Sequence, residues 1–187
     1  NKSLDKAKDE LSASQIPFDE NIEVGAMIET PASAVCVEHI LNYVDFISIG
    51  TNDLIQYVLA VDRINENVAH LYQPFHPSMI KILKEVFLAA GRAGKKVSIC
   101  GELGGDPLAT QLILGLGEVN ELSMVPHSIP KVKKMIRSIN RDDAKKMADH
   151  VLSLSSTEEI NRYITQEMKE KFPSDFARDL SFEENIT

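Results

Sequence analysis

Residues 45–63 read DFISIGTNDLIQYVLAVDR. The first six, DFISIG, are short, mostly apolar and rich in isoleucine, the pattern of a strand buried in a parallel sheet. A polar turn, Thr51-Asn52-Asp53, follows without a linker, and the chain from there to Arg63 has helical character. A strand that runs straight into a helix is one βα unit, so the fold turns on whether the unit repeats.

It repeats on both sides. Upstream, IEVGAMIE (22–29) reads as a buried strand, and Pro31 sits at the first turn of a helix that continues through ASAVCVEHILNYV (32–44). Before it, Leu4, Ala7 and Leu11 recur at helical spacing, as in the last turns of a surface helix that the turn around Pro17 ends. Downstream, Met79, Ile80, Leu83, Val86, Phe87 and Ala90 form the apolar stripe of a helix starting near Pro77 and weakened by Gly91 and Gly94. KVSIC (96–100) is a third strand. Asp106 then Pro107 read as N-cap and first helical residue, opening LATQLILGLG. NELSM (120–124) is a fourth, short strand. Three helices finish the chain, from near Ile129, Asp142 and Thr157, the last with a capping box of Ser156 and Glu159. Alternating strand and helix give an α/β fold with a parallel sheet. Four strands fit half of a (β/α)₈ barrel, which takes eight strands and about 250 residues, or a small open sheet.

Composition narrows the function. The 187 residues make one domain or part of one. Asp plus Glu number 28 against 20 Lys plus Arg, a net charge of −8, which argues against a general nucleic-acid binder. No apolar run reaches membrane-span length, so no membrane insertion is expected, and the N-terminus lacks a signal-peptide core. Two cysteines, Cys36 and Cys100, cannot build a disulfide framework, and we read the compartment as reducing and cytoplasmic. A start at Asn1 in mid-helix reads as a piece of a longer protein. Residues 1–171 are taken as the folded domain. Residues 172–187, FPSDFARDLSFEENIT, are taken as an acidic tail, a loose helix or disordered.

In parallel α/β folds the site lies at the carboxyl ends of the strands. Glu29 follows the first strand, Thr51, Asn52 and Asp53 the second, Cys100, Gly101 and Glu102 the third, and Ser123 and Met124 the fourth. Glu29 and Asp53 are carboxylates at neighbouring strand ends. Mg²⁺ is usually held by one or two carboxylates with waters and substrate phosphates, whereas the plain alternative is that each acid caps the helix it precedes. Cys100 is either a small buried residue or a proton donor or nucleophile facing the pocket, and Glu102 either orients or polarises it or simply faces solvent. Cys36, among Ala34, Val35 and Val37, is read as core. Arg63 suits a carboxylate or phosphate, or pairs with Asp62, Glu66 or another surface acid. Asn52 reads as a cap or a ligand contact. Gly101, Gly104 and Gly105 fit a phosphate-binding turn and a tight strand-to-helix connection equally well. Of the five histidines, His39 and His150 are read as surface residues, and no two have metal-ligand spacing.

Four strings, GAMIETPASA, VDFISIGTNDLIQYVLAVDR, HLYQPFHPS and ICGELGGDPLATQLILGLG, resemble the carboxyl-terminal half of the enzyme I family. These are the phosphoenolpyruvate-protein phosphotransferases of the bacterial sugar phosphotransferase system. The resemblance runs from near Phe18 to near Ser155. It implies the carboxyl-terminal half of a phosphoenolpyruvate-binding (β/α)₈ barrel. It also implies an enzyme that passes the phosphoryl group of phosphoenolpyruvate to a histidine on its own amino-terminal domain, then to a small histidine phosphocarrier protein, releasing pyruvate. By motif, Glu29 and Asp53 are similar to the family's magnesium ligands and Asn52 and Asp53 to its substrate contacts. Arg63 matches an anion-binding arginine, and Cys100 matches the acid that protonates the enolate carbon. The family dimerises through this region, so a homodimer is expected. The barrel's first four units and any G-G-x-T-S-H-like histidine string are absent from these residues, so the chain alone is expected to be inactive. Pyruvate phosphate dikinase and phosphoenolpyruvate synthase share GTNDL-type motifs and give a second enzymatic reading, and a non-catalytic dimerisation or regulatory module gives a third.

Overall fold

The structure, a computed structural model, describes residues 2–176. After α1 (Lys2–Ala13) come β1 (Gly25–Ile28), α2 (Pro31–Val35), α3 (Val37–Ile40), β2 (Phe46–Gly50), α4 (Thr51–Leu59), α5 (Pro77–Ala93), β3 (Lys96–Cys100), α6 (Pro107–Leu116) and β4 (Glu121–Leu122). Four more helices follow: α7 (Ile129–Ser138), α8 (Arg141–Ser153), α9 (Thr157–Lys171) and α10 (Pro173–Phe176). The strands form one parallel sheet in the order β1-β2-β3-β4. A doubly wound sheet reverses its strand order at a switch point. Here each strand is added beside the last, which is how a (β/α)₈ barrel grows, and the chain is the α/β half of one.

Register places Met27, Ser48 and Ser98 side by side, with Ile28, Ile49 and Ile99 in the next row and Gly50 beside Cys100. Alternation then sorts the faces. Ile28, Ile47, Ile49, Val97 and Ile99 are buried against the helices, with Met79, Ile80 and Leu83 of α5 and Leu112, Ile113 and Leu116 of α6 completing the core. The opposite face is open: Met27 is 47% exposed, and Ser48, Ser98 and Cys100 are half-buried. The reading of fully buried strands is therefore corrected. One face of each is core, and the other is the interior side of the barrel.

Local signals set most helix ends. The carboxylate of Asp106 accepts the Leu108 N–H ahead of Pro107, Gly94 closes α5 at φ 64°, and Ser156 with Glu159 forms a capping box on α9. The helix expected over 32–44 is different. It breaks at Cys36 (φ −95°, ψ 15°), which joins α2 to α3 and is exposed rather than core. Ala34, Val37 and Leu41 are the buried residues of the segment, while the turn at Cys36 leaves both Val35 and Cys36 facing outward. Residues 172–176 are no loose appendage. Phe172 and Phe176 join the core, and Lys134 Nζ meets the Asp175 carboxylate at 2.8 Å. Residues 177–187 of the expected tail lie outside the described residues.

Candidate functional site

The carboxyl end of β2 passes into α4 with Gly50 as N-cap and no side-chain cap. Thr51 is completely buried, and its hydroxyl donates to the Cys100 carbonyl at 2.9 Å. Asn52 Oδ1 accepts the Glu102 N–H at 3.1 Å. The end of β2 is thus tied to the end of β3 by two bonds that straddle Gly101. A Cβ on Gly101 would stand 2.6 Å from Thr51 Oγ1 and 2.9 Å from Asn52 Oδ1, and its φ of 104° is one that L residues rarely adopt. Gly104 and Gly105 approach the Ser123 carbonyl and the Met124 side chain. The glycine cluster is therefore a tight strand-to-helix connection.

Cys100 Sγ lies 3.4 Å from the Ile49 carbonyl, 3.6 Å from the Ser48 hydroxyl and 3.7 Å from Met27 Sδ. The thiol therefore sits on the open face, itself a weak donor and acceptor, with the Ser48 hydroxyl to donate to it and the Ile49 carbonyl and Met27 sulfur to accept from it. Arg63, whose N–H donates to Gln56 Oε1, brings a guanidinium nitrogen 3.9 Å from the Glu102 carboxylate. Glu102 is 82% exposed, so the pair is worth at most about 1 kcal/mol and a better-placed anion can displace it. The acid partner is Glu102, not Asp62 or Glu66. Tyr72 donates its hydroxyl to the Asn52 carbonyl at 3.3 Å. Burial first, then the Glu102 charge, pushes its phenol up to about 12.

Glu29 does not cap α2, because Thr30 does so through a capping box with Ser33. Asp53 stands in the first turn of α4 rather than at its cap. Glu29 Oε2 lies 3.0 Å from where a Gly50 Cβ would stand, so this carboxylate occupies the space that glycine leaves at the start of α4. Among the described residues no three His, Cys, Asp or Glu side chains converge as a metal cluster. A groove of about 680 Å³ opens beside these residues, lined by Asn52, Gly101, Glu102, Gly105, Ser123 and Met124 with Val125, Pro126 and Ser128. Glu29, Asp53, Arg63 and Cys100 are not part of its lining. His39 and His150 are exposed, His150 against the Tyr163 ring.

Residues 1–141 match the family model described as PEP-utilising enzyme, PEP-binding domain. The chain belongs to this PEP-utilising family. Among its relatives, the phosphoenolpyruvate-protein phosphotransferase of Buchnera aphidicola subsp. Acyrthosiphon pisum (strain APS) is 49% identical over 155 residues, 83% of this chain and 27% of the relative. The Haemophilus influenzae protein of the same name is 47% identical over 163 residues, 87% of this chain and 28% of the relative. The one from Bacillus subtilis (strain 168) is 40% identical over 162 residues, again 87% and 28%. The chain thus spans between a quarter and a third of the length of these curated relatives. Sequence reasoning about this PEP-binding domain passed over Ser48, Met27 and Tyr72. Ser48 carried a signal, as the one hydroxyl in the apolar strand FISIG, two residues from Gly50 and so on its face. Met27 and Tyr72 carried none.

Proposed function

We propose that this chain is the phosphoenolpyruvate-binding part of a cytoplasmic phosphoenolpyruvate-protein phosphotransferase, which moves the phosphoryl group of phosphoenolpyruvate to a protein histidine and releases pyruvate. The observation that carries the reading is Cys100, whose thiol stands on the open sheet face beside Ser48 and next to the turn bearing Asn52. Among the described residues no helix is long and apolar enough to cross a membrane.

In this reading Asn52 and Arg63 receive the anionic end of the substrate. The Asn52 side-chain carbonyl is already engaged by the Glu102 N–H, which leaves its amide donors for phosphate oxygens. Arg63 exchanges Glu102 for a phosphate or carboxylate, which its planar fork fits better. The bond between phosphorus and the enol oxygen breaks as a phosphorus–nitrogen bond forms to the acceptor histidine. The enolate's electron pair then takes the Cys100 proton onto carbon, giving pyruvate and a thiolate. Ser48 donates toward that sulfur. Glu29 and Asp53 would hold Mg²⁺, which when bound neutralises phosphate charge. Two carboxylates suffice for it when substrate and water complete the shell, and the Glu29 carboxylate over Gly50, at the start of the turn carrying Asp53, fits that demand. The histidine phosphocarrier protein and a homodimeric state complete the proposal.

The test is Cys100→Ala in the full-length enzyme carrying this segment. Pyruvate formation should fall by about 10²–10⁴, the usual contribution of a general acid, with substrate binding little changed. Turnover surviving within about tenfold refutes the role. The 187-residue chain alone, given phosphoenolpyruvate, Mg²⁺ and phosphocarrier, should release no pyruvate.

A further inference from the structure

Thr51 is the most buried polar residue at the strand ends, with no exposed surface. A threonine there without a partner would be costly, and its hydroxyl is spent on one contact, the Cys100 carbonyl at 2.9 Å. The residues on either side act in concert. Gly50 lies beside Cys100 in the ladder, and Asn52 holds the Glu102 N–H. Between these bonds Gly101, at φ 104°, has no Cβ to push Thr51 away. The peptide that follows Cys100 is thus clamped at its Cys100 carbonyl by Thr51, and the next peptide is clamped at its Glu102 N–H by Asn52. A clamp on the Cys100 carbonyl limits rotation of the backbone that carries the thiol, and so fixes where Sγ stands relative to Ser48, Ile49 and Met27.

We propose that Thr51 is a positioning residue for Cys100: its buried hydroxyl splints the end of β3 to the start of α4 and so aims the thiol across the open face of the sheet. Asn52 completes the splint through the Glu102 amide. The consequence for chemistry rests on the reading of Cys100 as the acid, since an acid misplaced by about 1 Å loses about 10²-fold in rate. The splint itself does not depend on that reading.

The experiment uses the 187-residue chain with the exposed Cys36 replaced by serine, so that Cys100 alone reports. Thr51→Val keeps the shape and removes the hydroxyl, whereas Thr51→Ser keeps the hydroxyl. Iodoacetamide alkylation of Cys100 should be faster by about 3- to 10-fold in Thr51→Val, the scale of one lost hydrogen bond, and near the parent rate in Thr51→Ser. Exchange of the Glu102 amide hydrogen should accelerate in Thr51→Val by a similar factor, while amides of α5 keep their parent rates. Gly101→Ala approaches the same contact from the other side and should reproduce both changes. Either readout unchanged in Thr51→Val overturns the proposal, and so does uniform acceleration of all amides, which would make Thr51 a general core residue. In the full-length enzyme the same substitution should lower kcat with KM nearly constant. Cys100→Ala alongside it separates the two claims. If that variant turns over normally, the acid role fails while the alkylation result still judges the splint.

Discussion

Gly115 lies in α6 where that helix crosses α8. A Cβ there would run into the backbone carbonyl of Ala144 and stand 3.0 Å from the Ala148 Cβ. Ala144 and Ala148 have no exposed surface, and neither a main-chain carbonyl nor a Cβ can swing aside as a long side chain would. Gly115→Ala must therefore part the helices. Overpacking of this kind costs about 1–3 kcal/mol, and the collision with backbone puts it at the upper end. Alanine returns about 1 kcal/mol of helix propensity, leaving a net loss of about 2 kcal/mol. At about 2–4 °C per kcal/mol for a chain of this size, Tm should fall by about 4–8 °C. Gly91 of α5 is the control, because among the described residues a Cβ there meets nothing within 4 Å. Gly91→Ala should stabilise by about 0.5–1 kcal/mol. Thermal and urea unfolding followed by circular dichroism at 222 nm read both, with the urea m-value unchanged. If both substitutions raise Tm, or Gly115→Ala leaves it within about 1 °C of the parent, where a loss of this size predicts several degrees, the close crossing of α6 and α8 is wrong.

Asp106 caps α6, and burial, only partly offset by the Leu108 N–H and Lys131, pushes its carboxyl above the ordinary value. Its ionisation therefore costs stability: the contribution is complete below the ordinary value of about 3.9 and is lost as pH rises through the raised folded value. Asp106→Asn keeps the cap acceptor without the charge, so it should be more stable than the parent at pH 7 and lose that advantage at pH 3. An equal advantage at both pH values would contradict this. Phe176 is buried with Lys131 Nζ 4.9 Å from its ring centre. Phe176→Ala should cost about 3 kcal/mol, the low end for a buried phenylalanine, in chemical denaturation. An unchanged midpoint would mean that 172–176 do not belong to the core.

The order of strands and helices was legible because its signals are local. Asp106 before Pro107, Ser156 with Glu159 and Gly94 after α5 each act within a few residues, and the structure uses all three. Direct passage from DFISIG into TNDL implied a parallel sheet, because such a unit returns only by a crossover. The same logic put Glu29, Asn52, Asp53 and Cys100 at strand ends. What the sequence could not convey were contacts between residues far apart along it. Ser48 meets Cys100 across 52 positions, and Thr51 reaches the Cys100 carbonyl across 49. Cys36 looked like core because its neighbours are apolar, yet burial is decided by what packs opposite, and there the helix breaks and turns the thiol outward. Phe172 and Phe176 looked like the start of an acidic tail until the surface that covers them was in place. Residue patterns reveal which backbone conformations are cheap, a property of neighbours in the chain. Which side chains share a site, and which glycine admits a close crossing, depends on distances that only the folded arrangement of helices on the sheet creates.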